Sequence, residues 1–264
     1  MASGFLCAIR QKRPVVHTIT NYVTANDCAN LLLAAGASPI MADAPEEAAE
    51  IAAIADAVVL NMGTLSASRR EAMRHAGEMA RAGGKPVVLD PVGVGASGFR
   101  REAAQLLLRC ARPAVIRGNR SEIRALLTGE TGERGVDSAD LPQTGEDTAV
   151  LLSQRTGSVV LQTGETDFVT DGTRSMTICG GSELLRQVTG AGCMLSALTG
   201  ACLAAEPERP LEAAAAAATL MSVCAEIAHK RLLAGEGNAS FRNRLIDAMC
   251  TLTPEIYREW RPEL

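Results

Sequence analysis

A chain of 264 residues that is 47% apolar but only 3% aromatic has the length for one large domain and must build its core from Ala, Leu, Val and Ile, which favours helices packed closely on a sheet. A net charge of −4 argues against a general nucleic-acid surface. Its eight cysteines (7, 28, 110, 179, 193, 202, 224 and 250) form no C-x-x-C pair, which argues against zinc and against a disulfide framework. Residues Met1 to Arg13 read as a short polar start without a signal-peptide layout, and no apolar run is long enough to span a bilayer. A protein of the reducing cytoplasm is the expectation.

In chain order, Pro14 to Asn21 is extended, and Ala25 to Ala35 carries apolar residues at helical spacing closed by Gly36. Ser38-Pro39-Ile40-Met41 is a brief strand. Asp43 with Glu46 has capping-box spacing and opens an alanine-rich helix to Asp56. Ala57 to Asn61 is a strand buried on both faces; Ser68 with Glu71 repeats the cap signal for a helix ending at Gly83-Gly84; Pro86 to Asp90 is another buried strand. A glycine-rich loop (Gly93, Gly95, Gly98), a helix from Phe99 to Cys110 and the strand Ala114 to Arg117 follow. Asn119 with Glu122 caps the next helix, and Thr128 to Gly145 reads as a long surface loop. A helix from Glu146 to Arg155, a strand from Ser158 to Gln162 and a hairpin turning at Asp171-Gly172 come next. Two apolar helices follow, one from Met194 and one from Pro210, the latter interrupted by Glu212 and Glu226 and so read as buried; Phe241 to Leu252 is the last helix.

Strands alternating with helices predict an α/β fold with a mostly parallel sheet covered on both faces, in a single domain spanning 1–264. Ligands gather at the carboxyl ends of such strands. Four polar groups fall there: Asn61-Met62-Gly63-Thr64, Asp90-Pro91-Val92-Gly93, Arg117-Gly118-Asn119 and Thr163-Gly164-Glu165.

The chain is organised around Val188-Thr189-Gly190-Ala191-Gly192-Cys193-Met194. Glycines at a helix entrance let N–H groups converge without a Cβ in the way, and the helix dipole there is positive. Gly190, Ala191 and Gly192 thus predict an anion hole for a phosphoryl group, with Cys193 on its rim, where a thiol ionises more easily. Gly200 is read as packing. Asp90, Asn119 and Glu122 suit magnesium, which takes oxygen ligands and keeps several waters; Asp-Pro turns and a simple capping box are the ordinary alternatives. Arg117 ends a strand where it can neutralise nucleotide phosphates, and Thr163 offers a hydroxyl beside Gly164.

Gly93-Val94-Gly95-Ala96-Ser97-Gly98 satisfies G-x-G-x-x-G, and a basic residue, Arg117, ends the next strand. NADP binding therefore stands as an alternative, although Asp90-Pro91-Val92 intervenes between strand and first glycine. A thiol sensor using Cys193 is a non-catalytic alternative. His17, His75 and His229 have no acid or cysteine partner at useful spacing; His17 is read as structural.

Ile19-Thr20-Asn21, Gly36-Ala37-Ser38-Pro39-Ile40-Met41-Ala42, Leu60-Asn61-Met62-Gly63-Thr64-Leu65 and Leu89-Asp90-Pro91-Val92-Gly93-Val94-Gly95-Ala96 stand in one order. They precede Ile116-Arg117-Gly118-Asn119-Arg120-Ser121-Glu122, Thr163-Gly164-Glu165 and Val188-Thr189-Gly190-Ala191-Gly192-Cys193. This set resembles the hydroxyethylthiazole kinases of thiamine biosynthesis, within the ribokinase-like superfamily, from about Val16 to Phe241. The resemblance implies a ribokinase-like three-layer α/β/α fold. It also implies transfer of the γ-phosphoryl group of ATP, with Mg2+, to the primary alcohol of 4-methyl-5-(2-hydroxyethyl)thiazole, in a homotrimer whose sites lie between subunits. Carried over by motif, Asn21, Met41 and Gly190 contact the thiazole, with Gly63 and Thr64 nearby. Arg117 and Thr163 contact ATP, and Asp90 and Glu122 belong to the magnesium and phosphate shell. The superfamily usually has an aspartate base where this chain has Cys193. A kinase for another vitamin precursor, or an ADP-forming dehydratase of hydrated nicotinamide cofactors, is the alternative within that superfamily.

Overall fold

The apolar runs pair edge to edge into one eight-stranded sheet in the computed structural model, which describes residues 2–129 and 144–261. The strands are β1 (Val15–Ile19), β2 (Ser38–Ile40), β3 (Ala57–Asn61), β4 (Val87–Asp90), β5 (Val115–Asn119), β6 (Val159–Thr163), β7 (Asp167–Thr170) and β8 (Ser175–Ile178). They stand in the order β2-β1-β3-β4-β5-β6-β7-β8. Pairs from β2 through β6 are parallel; β7 and β8 form the antiparallel hairpin.

The helices are α1 (Ala2–Lys12), α2 (Ala25–Ala35), α3 (Ala48–Ile54), α4 (Ala67–Ala82), α5 (Gly98–Ala111), α6 (Arg120–Thr128), α7 (Gly145–Thr156), α8 (Ala191–Ala205), α9 (Pro210–Lys230), α10 (Asn238–Thr251) and α11 (Pro254–Trp260). Successive strand residues point to opposite faces, and this period of two divides the core. Val59, Val88 and Val115 join Leu31, Leu198, Val223 and Leu245 on the side of α1, α2 and α8 to α11. Val58, Leu60, Leu89 and Ile116 join Ala52, Met73, Leu107 and Ile123 on the side of α3 to α7. The result is the three-layer α/β/α arrangement expected.

The small residues of α8 let it lie directly on the sheet: a Cβ at Gly200 would stand 2.6 Å from Val59 Cγ2. Helix α9 is long and apolar enough to cross a membrane, yet it is packed between α8, α10 and the sheet, and most of its residues are buried.

Some local expectations shift. The first residues form a helix, α1, whose Phe5, Leu6 and Ile9 are buried, and Thr253-Pro254 starts the further helix α11. Asp43 does not cap α3, which begins at Ala48; its carboxylate accepts from Arg69 Nε at 3.1 Å instead. A buried guanidinium left unpaired costs several kcal/mol, roughly 3–5, against about 1 for a lost cap. The cap of α4 is Ser66, whose hydroxyl accepts from Arg69 N at 3.1 Å, rather than Ser68. Most of the loop expected over Thr128 to Gly145 lies outside the described residues.

Candidate active site

Parallel pairing brings the carboxyl ends of β1, β3, β4, β5 and β6 to one edge. Register sets Asn61 beside Asp90 and Asn119 beside Thr163. The amino end of α8 arrives at the same edge through Gly190, whose φ of 90° is left-handed. Only glycine serves there, because a Cβ would also stand 2.3 Å from Thr24 Cγ2. Ala191 N turns back to Val188 O at 3.2 Å, and the first intrahelical bond runs from Met194 N to Gly190 O at 2.8 Å. The amides of Gly192 and Cys193 lie between these two, in the first turn, where a helix has no carbonyl to offer.

Asp90 is fully buried under this helix. Its Oδ2 accepts from Asn61 Nδ2 and from Ser196 Oγ, each at 2.7 Å, and stands 3.7 Å from Arg117 Nη1. Its Oδ1 is buried with no hydrogen-bond partner among the described residues. Burial pushes the Asp90 carboxyl above the usual carboxylate range, against the pull of Arg117 and the hydrogen bonds from Ser196 and Asn61. Asn61 extends the network, its Oδ1 accepting from Gly63 N at 2.9 Å and from Asn21 Nδ2 at 3.3 Å. Asn21 Nδ2 in turn stands 3.3 Å from Cys193 Sγ.

The sequence predicts an easily ionised Cys193; the structure reverses the sign. Burial, and then the nearby Asp90 carboxylate, push this thiol up, and the hydrogen bonds from Thr24, Asn21 and Asn61 offset only part of that.

Arg117 reaches from β5 across to α8. Its Nη2 donates to Thr163 Oγ1 at 2.8 Å, and a Cβ on Gly192 would fall 2.3 Å from its Nη1. Gly192 is thus the seat of a guanidinium. Beside it opens a cleft of about 290 Å3, with Arg117, Asn119, Thr163 and Asp167 on the polar side and Leu195 and Met221 on the apolar side. Glu122 lies behind, its Oε1 accepting from Gly93 N and its Oε2 from Asn119 N, both at 2.9 Å. Asn119 Oδ1 accepts from Glu122 N at 2.9 Å, completing a capping box. Arg100 joins the loops after β3 and β4, donating to Met62 O at 2.6 Å and Val92 O at 2.7 Å.

The remaining sequence candidates stand on the other flank. Thr64 adopts a left-handed φ of 45° and is held by Arg69 Nη1, which donates to its Oγ1 at 2.7 Å. Met41 follows β2, and the next carbonyl, Ala42 O, lies 2.8 Å from the buried His17 Nε2. Neither Met41 nor Thr64 lines the cleft beside Arg117. The site therefore has two halves, an Asn21–Gly63–Cys193 side and an Arg117–Thr163 side, with Asp90 and the amino end of α8 between them.

A sequence model described as the hydroxyethylthiazole kinase family matches residues 6–255. The chain belongs to that family. It is 48% identical to a hydroxyethylthiazole kinase of Rhizobium etli (strain CIAT 652) over 248 residues, 94% of this chain and 95% of that one. It is 43% identical to one from Clostridium acetobutylicum, covering 92% of each. The solved hydroxyethylthiazole kinase of Pyrococcus horikoshii OT3 superposes with a TM-score of 0.88 at 40% identity, covering 97% of this chain and 95% of that one. A ribokinase-like protein of Enterococcus faecalis V583, at 14% identity and a TM-score of 0.62, covers 89% of this chain and 86% of its own and shares the fold. The protein is a kinase of ribokinase-like architecture.

Sequence reading placed Asn61 at the edge but gave it no role, and it missed Ser196. Asn61 had a signal, a polar residue ending an apolar strand in register with Asp90. Ser196 had none: it meets Asp90 across 106 residues of chain.

Proposed function

We propose that this kinase transfers the γ-phosphoryl group of ATP to the primary hydroxyl of the thiazole alcohol, supplying thiazole phosphate for thiamine synthesis. What carries the reading is one juxtaposition: the first-turn amides of α8 and the Arg117 guanidinium stand together over Asp90 at the mouth of a cleft. Phosphoryl transfer passes through a loose transition state, so positioning and charge stabilisation supply most of the catalysis. The amides of Gly192 and Cys193 and the Arg117 side chain meet the charge that spreads over the migrating group. Gly190 and Ala191 set the direction of that turn. Thr163 holds the guanidinium in place, and Asn119 borders the nucleotide.

On the opposite half, Asn21, Gly63, Thr64 and Met41 seat the alcohol, with its hydroxyl toward Cys193. A thiol pushed up in pKa is neutral at pH 7, so Cys193 orients the hydroxyl; as its oxygen bonds to the γ-phosphorus and the bond to ADP breaks, the hydroxyl proton passes late to an oxygen of the transferred phosphoryl group. Magnesium fits the donors present. Among the described residues no three His, Cys, Asp or Glu gather as a closed metal cage. Asp90 has a spare buried oxygen, and Glu122, engaged by two amides, keeps one lone pair on each oxygen. Asp90 and Glu122 would hold an ion that keeps most of its waters and phosphate oxygens. When bound, such an ion would supply positive charge against the nucleotide phosphates.

Homotrimer formation belongs to the same proposal. Tyr22 and Val23, directly after Asn21, are 76% and 65% exposed, an apolar surface at the alcohol side suited to cover by a neighbouring subunit. The free thiols fit a reducing cytoplasm. The test is direct: folded protein, Mg-ATP and the thiazole alcohol should yield thiazole phosphate by mass spectrometry. Absence of turnover while another vitamin-precursor alcohol is phosphorylated would move the assignment within the superfamily.

A further inference from the structure

The wall of the nucleotide cleft opposite Thr163 is the 3-10 turn Glu183–Gln187, which presents Leu185 and Arg186. None of the turn is fully buried, and only Leu184 and Leu185 pack against the edge of the core. It hangs from the helices behind it. Glu226 of α9 accepts from Gly181 N at 2.7 Å through Oε1, and the same carboxylate takes both arms of Arg261, Nη2 at 2.8 Å on Oε1 and Nη1 at 2.9 Å on Oε2. Arg261 Nη2 also reaches Cys179 O at 3.4 Å. Ser182 Oγ lies 2.8 Å from His229 Nδ1, and Asn238 Nδ2 donates to Gln187 O at 3.0 Å.

The backbone is moulded to the ion pair. Gly180 and Gly181 have φ of 107° and 98°, and a Cβ on Gly180 would fall 2.3 Å from Glu226 Oε1 and 2.4 Å from Arg261 Nη2. Glu226 and Arg261 are each about three-quarters or more covered, at 19% and 27% side-chain exposure, so the pair is less screened than one on an open surface. Arg261 lies beyond residues 6–255, the stretch that the family model matches.

We propose that Glu226 and Arg261 are positioning residues for nucleotide binding: the end of α11 straps the 180–187 segment against α9 and so sets the width of the ATP cleft. The inference rests on the reading of that cleft as the nucleotide site. Helix α9 supplies Ser222 and Met221 to the cleft one turn before Glu226, so a strap at Glu226 acts on both walls at once.

The test is steady-state kinetics of Arg261→Ala, Arg261→Lys and Glu226→Gln in the full chain, with hydrogen exchange over 180–187. Losing one charge-assisted anchor should raise the KM for ATP by roughly five- to ten-fold. The KM for the thiazole alcohol and kcat should stay near wild type, and Arg261→Lys should recover part of the loss. Should Arg261→Ala fold poorly, Gly180→Ala displaces the same contact with both charged residues still present and should show the same KM split. Unchanged ATP KM in these variants, or an equal loss for both substrates, overturns the strap. In wild type a non-hydrolysable ATP analogue should slow exchange at 180–187. Without that protection the reading of the cleft fails, and the strap with it; protection together with unchanged KM values removes the strap alone.

Discussion

Gly192→Ala separates stability from catalysis in this enzyme. The residue is helical, in the first turn of α8, so alanine gains up to about 0.5–1 kcal/mol of helix preference. Its Cβ, however, would stand 2.3 Å from Arg117 Nη1, 2.7 Å from Nη2 and 2.8 Å from Cζ. The guanidinium is the movable partner, and it can yield only by leaving Thr163 Oγ1, now 2.8 Å away, and the 3.7 Å approach to Asp90. A charged hydrogen bond is worth about 1.5–3 kcal/mol, so the helix preference offsets only part of its loss, the net folding cost is about 0.5–2.5 kcal/mol and Tm should fall by roughly 1–10 °C. On the proposed role of Arg117, the transition state loses a contact of the same size with nothing to offset it. That corresponds to a fall of roughly 10- to 150-fold in kcat/KM. The assay is kcat/KM alongside thermal unfolding for Gly192→Ala, Arg117→Ala and the double variant. Because the alanine acts through the guanidinium, the double variant should be no worse than Arg117→Ala alone, within about two-fold. Wild-type kcat/KM in Gly192→Ala refutes the seat, and losses that multiply show that the amide end of α8, rather than Arg117, was disturbed.

Three further outcomes follow from the same contacts. Burial lowers the pKa of His17 below its ordinary 6.5, so above pH 6.5 both folded and unfolded chains carry it neutral, and as pH falls below that value the unfolded chain binds the proton first. Stability from this residue is full above 6.5 and is lost as pH drops toward the folded value; urea unfolding at about pH 7.5 and about pH 5.5 should differ by up to about 1.4 kcal/mol more in wild type than in His17→Gln. Glu122→Gln places an NH2 group against one of the two amides, Gly93 N or Asn119 N, and should cost about 1–3 kcal/mol in urea unfolding; an unchanged midpoint would mean the capping box contributes nothing. Cys193→Asp should retain kinase activity within about ten-fold, since hydrogen-bond donors already face that position, whereas a thiol sensor would lose its response; in wild type Cys193 should alkylate more slowly than the exposed Cys7 and Cys250 at neutral pH.

The strands and the edge they converge on were legible because strands buried on both faces leave unbroken apolar runs, and because a parallel sheet puts its strand ends on one side. Gly190 and Gly192 were legible as an entrance, but for two different reasons that sequence does not separate. Gly190 is needed for its backbone angle and for Thr24; Gly192 is needed to seat Arg117. The start of α3 lies beyond Asp43 because that side chain has a better use than capping, its ion pair with Arg69. The ionisation of Cys193 runs against the sign its sequence context predicts because a helix dipole is a local property, whereas the burial that chiefly raises the thiol, and after it the Asp90 carboxylate, come from elements distant in sequence. Ser196 and Arg261 were invisible for the same reason: each acts across a long loop of chain, and neither sits in a motif.

The two halves of the site differ in what holds them, and that difference assigns kinetic roles. Asp90, Asn61 and the amino end of α8 belong to elements locked into the core, with Gly200 pressed onto Val59 of β3 beneath them. A packed interior transmits small displacements and relaxes little, so a change there moves atoms relative to the transferred phosphoryl group and appears in kcat. The wall at Leu185 and Arg186 is hung on side-chain contacts from α9, α10 and α11, and on the proposed reading of the cleft it meets parts of the nucleotide that do not change during transfer. Loosening it weakens ground state and transition state alike, which raises KM and leaves kcat in place. Arg117 is where the halves meet: it leans on Gly192 and Asp90 from one side and on Thr163 from the other. Its removal should therefore change both constants.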